Sequence, residues 1–429
     1  MKLFTHGVLF ARRAGVFLVA LVTTLTLAAS GEGTNATKAL SEPFWGDHQG
    51  GIATPRQLNM YFAAFDLVTS NRADVVKLLQ AWTTAAARMT QGETAQPLET
   101  GLQLAVPPAT NAATGDDAYS APDPSTMPAD TGEAIGLSPM RLTVTFGFGA
   151  GLFTKDGIDR YGLAARRPAA FVDMPRFAGD QMLDGRSDGD LAIEACADDP
   201  QVAFHALRQL ARIGEGVAQI RWVQTGYWPT EHRHLLGFPA EAMGVSPDDP
   251  QAMKDSVWVG ADGPDWMRGG TYQVVRRIRF ALEHWDHMPV AYQEKAIGEL
   301  KHPHASTATN APVTDADGEN IPSHLHIVGP RADTMLRRSF SYNDGVSVIT
   351  ERWPPWRQGL EYDAGMFFIC YQNDPREGFI GLYGKMSRHD VMLNQFWTHV
   401  GSGLFACPHG AKPGAYIGQD LFEPQTVAR

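Results

Sequence analysis

Leu58-Asn-Met-Tyr-Phe-Ala-Ala-Phe-Asp-Leu-Val68 is short and rich in aromatic and branched residues, and the stretch that follows it, 73–90, has a different period. The first run reads as a buried strand. In the second, Val75, Val76, Leu78, Leu79, Trp82, Ala86 and Met89 recur at helical spacing, and Gly92 closes it. Working outward, Leu142–Phe148 alternates and reads as a strand, as does Leu191–Ala197. Val202–Ile213 carries a helical stripe, and Gln219–Gln224 reads as a last strand. The order from 57 to 225 is therefore β-α-β-β-α-β, the ferredoxin-like unit.

The second half admits the same reading. Tyr272–Phe280 is a strand entering a helical stretch, Val290–Leu300 is helical, and His324–Val328 is a short strand. Gly365–Tyr371 is a buried strand and Val391–Val400 is helical. The expected class is α+β, with two ferredoxin-like halves at 57–230 and 231–429 after an N-terminal extension at 31–56. Two such sheets packed face to face leave a deep pocket suited to a large cofactor. Residues 91–140 hold seven acids and no Lys or Arg, and read as a surface insertion because the strand pattern resumes directly after them.

The chain has 429 residues, 44% of them hydrophobic, which is enough for real cores and excludes a wholly disordered protein. Its net charge of −11 argues against holding nucleic acid by phosphate neutralisation. Three cysteines make no disulfide framework, and no zinc spacing of Cys and His occurs. With 14 histidines, imidazole is the expected ligand for any bound metal.

The first 30 residues read as an address. Lys2, Arg12 and Arg13 precede an apolar run of 16 residues, Ala14–Ala29, below the ~20 a membrane-spanning helix needs. Small residues at Ala28, Ala29 and Ser30 complete a cleavable signal peptide, and Arg12-Arg13 before the core resembles a twin-arginine signal. Removing three cations and no acid from a chain of net −11 leaves −14 on a mature protein that is periplasmic or otherwise exported, with no membrane span.

Four histidine clusters stand out: His232/His234, His284/His287, His302/His304 and His324/His326. Solvated loops account for the first and third, and Trp285 gives the second a packing role. His324 and His326 differ, because they follow Ile321-Pro322 and begin an apolar segment after a Pro/Thr/Asp-rich loop. A single imidazole on a strand beside a pocket suits an axial haem ligand. Gly147–Gly151 and Gly269-Gly270 match no phosphate-cradling pattern, and the absence of a Gly-x-Ser-x-Gly elbow argues against an α/β-hydrolase.

Several strings together resemble the dye-decolourising peroxidase family, and most closely its exported branch related to the deferrochelatase-peroxidases of bacterial iron-uptake systems. They are Gly46–Gln57, Leu142–Phe153, Ala195–His205, Trp266–Tyr272, Met335–Arg338, Phe367–Gln372 and Gly403–Pro408, within a resemblance that covers residues 43–423. The resemblance implies two ferredoxin-like halves in a dimeric α/β-barrel-type haem peroxidase fold, with one haem b per chain. It implies a peroxidase that reduces hydrogen peroxide and oxidises an organic reductant, dye-like or porphyrin. Iron-uptake components are candidate partners, and the homo-oligomeric state is open. His324 matches the proximal ligand to the iron, and Arg337 the distal arginine, with Arg338 the competing assignment. Glu241, Ala242 and Met243, and Gly329, Pro330 and Arg331, match positions lining the haem or its propionates.

One departure bears on activity. Where the family carries Gly-Phe-x-Asp-Gly, this chain has Gly237-Phe-Pro-Ala-Glu241, so Ala240 replaces the distal aspartate. Alanine transfers no proton, and Glu241, one residue on and longer, is the candidate substitute. Asp374 is the candidate carboxylate behind His324. The contrasting expectation is a haem-handling, deferrochelatase-like protein without peroxidase turnover.

Overall fold

The computed structural model describes residues 40–98, 128–230, 233–239, 244–301, 313–314, 320–321, 323–350 and 358–423. The signal at 1–30 and most of the 91–140 insertion lie outside them.

The first half follows the expected order. Strand β1 is Asn59–Leu67, helix α1 Arg72–Met89, β2 Thr143–Phe148, β3 Leu191–Ala197, α2 Pro200–Ile213 and β4 Ala218–Tyr227. Each helix starts where the sequence supplies a cap. The Asn71 carboxamide oxygen accepts from the Ala73 amide (3.0 Å), and Asp199 accepts from Gln201 and Val202 ahead of Pro200. Strand β1 is buried on both faces, which explains its unbroken apolar sequence. Met60, Phe62 and Ala64 point one way, and Ala63, Phe65 and Leu67 the other.

The second half comprises β5 Thr271–Phe280, α3 Val290–Ile297, α4 His324–Val328, β6 Phe340–Thr350, β7 Gln358–Gln372, α5 Gly381–His389, α6 Val391–Gln395 and β8 Trp397–Cys407. Its first correction concerns His324–Val328, which is a one-turn helix rather than a strand. The Ser323 hydroxyl accepts from the His326 amide (3.3 Å), and that cap decides the matter. The second concerns Val391–Val400, where the helix stops at Gln395 and a strand begins at Trp397. Strand β8 contains Gly401 and Gly403, which masked it in the sequence; a Cβ on Gly401 would meet the Arg186 carbonyl at 2.5 Å.

Within each half the strand order is fourth-first-third-second, giving β4-β1-β3-β2 and β8-β5-β7-β6 with antiparallel neighbours throughout. The halves meet edge to edge, through Ala406 opposite Phe148 and Tyr227 opposite Ser341. These eight strands therefore close into one ring, the barrel-type arrangement expected, and the space between the two sheets is packed rather than left as a pocket. Aromatic side chains fill the ring: Phe62 lies 5.3 Å from Phe367 and 5.9 Å from Phe405, joining the two halves. The helices pack on the outside, with Trp82 of α1 against Phe65 and Phe146.

Phe62 is fully buried at this junction, so Phe62→Ala should cost about 3–5 kcal/mol of stability. Denaturant unfolding should show one transition at a lower midpoint, since both halves lose the same contact.

Candidate functional site

The described cavity nearest the sequence-derived candidates lies outside the ring, between the second sheet and its helices. It consists of two adjoining hollows that share His324, Arg337, Met366 and Trp397 in their walls. Alternation along the strands puts Ile278, Met366 and Phe368 on this outer face, and Leu382 and Met386 of α5 close the apolar inner part.

His324 is the first residue of α4 and is buried, its ring edge-on to Trp397 at 4.8 Å. Its Nδ1 lies 2.6 Å from Oδ2 of Asp390. Asp390 is completely buried between α5 and α6, where its Oδ1 accepts the Met392 amide (2.8 Å) and caps α6. A carboxylate only accepts, so Nδ1 carries the imidazole proton and Nε2 keeps its lone pair. That donor set, one imidazole backed by a carboxylate in an apolar hollow, fits the axial ligation of a haem.

Asp374 is not the partner. It is bound by Arg376, whose Nη2 lies 2.5 Å from its Oδ2. Asp390 is 66 residues from His324 along the chain, and its only sequence signal is that of a helix cap before Val391.

Arg337 and Arg338, adjacent in sequence, send their side chains to different places. Arg337, in the two-residue strand Leu336–Arg337, lines both hollows, with its guanidinium 5.5 Å from the Phe368 ring centre. Burial lowers its pKa. Arg338 turns away and donates to the Thr54 carbonyl and to Gln57 Oε1 (3.0 Å).

Gly329, Pro330 and Arg331 form part of the 3₁₀ turn Gly329–Thr334 directly after α4. Ala240, Glu241, Ala242 and Met243 lie outside the described residues, as do His232, His302 and His304. His326 is exposed. His284 stacks on Phe396 at 5.0 Å, a packing role, and His287 contacts the Glu283 carbonyl.

The sequence around His234 reads as a solvated loop, but the structure puts this residue in the cavity wall. Its Nδ1 accepts the Leu236 amide (3.2 Å), and its ring stacks on Phe238. Burial, reinforced by the nearby charges of His324, Lys301, Arg233 and Arg337, lowers its pKa to about 4.

Comparison with known proteins defines the class. Two family models match, Dyp-type peroxidase, N-terminal, over residues 49–228 and Dyp-type peroxidase, C-terminal, over residues 231–412. The chain belongs to the Dyp-type peroxidase family. It is 30% identical over 427 residues to the deferrochelatase of Escherichia coli (strain K12), spanning 92% of this chain and 89% of that protein. Ferric DtpA from Streptomyces lividans has 34% identity and a TM-score of 0.70, covering 90% of this chain and 99% of that one. DypB from Rhodococcus jostii, solved in complex with heme, shares the fold at 18% identity and a TM-score of 0.54, over 87% of this chain and 97% of that one. No helix among the described residues is long and apolar enough to cross a membrane.

The depressed pKa of His234 makes a pH prediction for the haem-free protein. The unfolded imidazole titrates near ~6.5 and the folded one at about 4, so the unfolded state binds more protons between these values. Stability should therefore fall as pH drops through that window. His234→Asn should flatten the decline in urea midpoint between about pH 7 and about pH 4.5.

Proposed function

We propose that this chain is a haem b peroxidase, one haem per chain, that reduces hydrogen peroxide and oxidises an organic reductant, dye-like or porphyrin. The observation that carries this reading is the His324–Asp390 pair, at 2.6 Å, opening on a cavity that Arg337 also lines. Bound haem supplies the iron and the redox equivalents that divide the peroxide bond.

The chain's own residues do the rest. His324 offers Nε2 to the iron, while its Nδ1–H bond to Asp390 makes the ring more electron-rich. Arg337 holds a fixed positive charge on the same cavity and stabilises negative charge on the departing oxygen. Reducing peroxide to water would also need a proton donor at this cavity. With Ala240 at the aspartate position, Glu241 is the group we assign to move that proton, a contribution of typically ~10²–10⁴-fold. Gly329, Pro330 and Arg331, with Ala242 and Met243, complete the proposed haem contacts.

The same reading divides the chain into a signal at 1–30, an extension at 31–56, a first ferredoxin-like half at 57–230 with its insertion at 91–140, and a second half at 231–429 that carries His324. Arg12-Arg13 before the apolar core supports export to the periplasm, already folded, through a twin-arginine route. The deferrochelatase relatives make iron-uptake components candidate partners. Family membership favours the peroxidase over a haem-handling role without turnover.

The test pairs binding with turnover. Wild type should show a Soret band after haem loading and peroxide-dependent dye oxidation, whereas His324→Ala should retain little haem. Glu241→Gln should keep the Soret band and lose about 10²-fold in kcat/KM for peroxide. An unchanged rate would remove Glu241 from the mechanism, and a Soret band without turnover would select the haem-handling role.

A further inference from the structure

One wall of the wider hollow carries donor atoms that have no hydrogen-bond partner among the described residues. Arg56, three residues before β1, sends Nη2 to the Arg337 carbonyl (2.8 Å) and stacks its guanidinium 3.8 Å from the Trp228 ring centre. Its Nε is buried without a hydrogen-bond partner among the described residues, and so is the Ser339 hydroxyl. Arg56, Trp228, His234, Arg337 and Ser339 all line this hollow. His234 uses its Nδ1 lone pair on the Leu236 amide, so the neutral ring presents Nε2–H as one more donor.

The charges agree with the hydrogen bonds. Burial, with the positive charges of Arg338 and Arg337, pushes the Arg56 guanidinium down to about 9. Among the described lining residues the carboxylate is Glu299, which is already engaged. Glu194 is held inside the ring by Tyr371 (2.6 Å) and Gln273 (2.5 Å). A desolvated guanidinium without a counter-charge is costly, and a bound anion removes that cost. The planar fork of arginine matches a carboxylate, and the Trp228 ring beside it offers a face to a flat organic body.

We propose that Arg56, with Ser339, Arg337 and the Trp228 ring, forms a subsite that receives the carboxylate of a planar organic ligand at this cavity wall. The inference deepens the haem-peroxidase reading and rests on it for what occupies the cavity. Two sources share the chemistry: a propionate of the cofactor, or a carboxylate on the organic reductant. In either case Arg56 acts on affinity and specificity and touches no reacting bond.

Two titrations separate the sources. The haem-free chain is titrated with haem and with haem dimethyl ester, whose carboxylates are masked. The haem-loaded chain is titrated with 2-naphthoate and with 2-naphthamide, which keeps the ring and removes the charge. In one of the two, wild type should prefer the free carboxylate at least tenfold, Arg56→Gln should abolish the preference, and Arg56→Lys should restore part of it. Loss in the first identifies the propionate, and loss in the second the reductant. If neither preference exists in wild type, or both survive in Arg56→Gln, the proposal is overturned. If the haem-free chain takes up neither haem nor its ester, the haem reading fails instead, and naphthoate against naphthamide on that chain still decides for or against the subsite.

Discussion

The hydrogen bond between His324 and Asp390 organises the functional half of the molecule. A carboxylate with no solvent exposure needs partners for both oxygens, because an uncompensated buried charge costs several kcal/mol. One oxygen takes the Met392 amide and starts α6, and the other takes the imidazole proton of His324. The orientation of the ring is thereby tied to the start of a helix. That helix runs through Phe396, which packs on Trp285 at 4.8 Å, directly into strand β8. Structure and proposed chemistry share one group: the charge that caps α6 also decides which nitrogen of His324 faces the cavity.

The helix layers explain why the cavity opens chiefly on the second sheet, with Arg56 and Trp228 joining its outer wall. Both halves have the same strand order, but their helices differ. Helices α1 and α2 are long, and Trp82 reaches from α1 to donate to the Leu210 carbonyl at the far end of α2 (2.6 Å), so they lie close on the first sheet. In the second half the layer is divided into the short segments α3, α4, α5 and α6, which stand off from β5 and β7 and leave the hollow lined by Ile278, Met366 and Phe368. The ring interior is packed with aromatic residues and with the Glu194–Gln273–Tyr371 network, which leaves the outer layer to hold a ligand.

What the sequence revealed follows from range. The first half was legible because β1, α1, β3 and α2 each carry their own period and caps within a few residues, as Asn71 and Asp199 illustrate. Strand β6 was not, because Phe340–Thr350 mixes Ser, Asn, Asp and Gly with exposed Val346 and Val348 and so shows no buried stripe. His324 stood out by its surroundings and by the family resemblance, yet its partner did not. Asp374 and Asp390 are equally plain aspartates in the sequence, and only the fold brings one of them to Nδ1. His234 looked like a loop residue because nothing local reveals that the turn His234–Phe238 folds into a cavity wall. Arg337 and Arg338 are adjacent and chemically identical, and only the fold separates them, one lining the cavity and the other held by Thr54 and Gln57.

The central claim is that Asp390 sets the electronic character of His324 as the ligand in a haem peroxidase. The most direct measurement is the ferric/ferrous reduction potential of the haem-loaded protein with Asp390 and with Asp390→Asn, which preserves the shape and the helix cap while removing the charge. The account predicts a clear shift to more positive potential in the variant, at equal haem content and with the same far-ultraviolet spectrum. A potential unchanged from wild type under those conditions would contradict it.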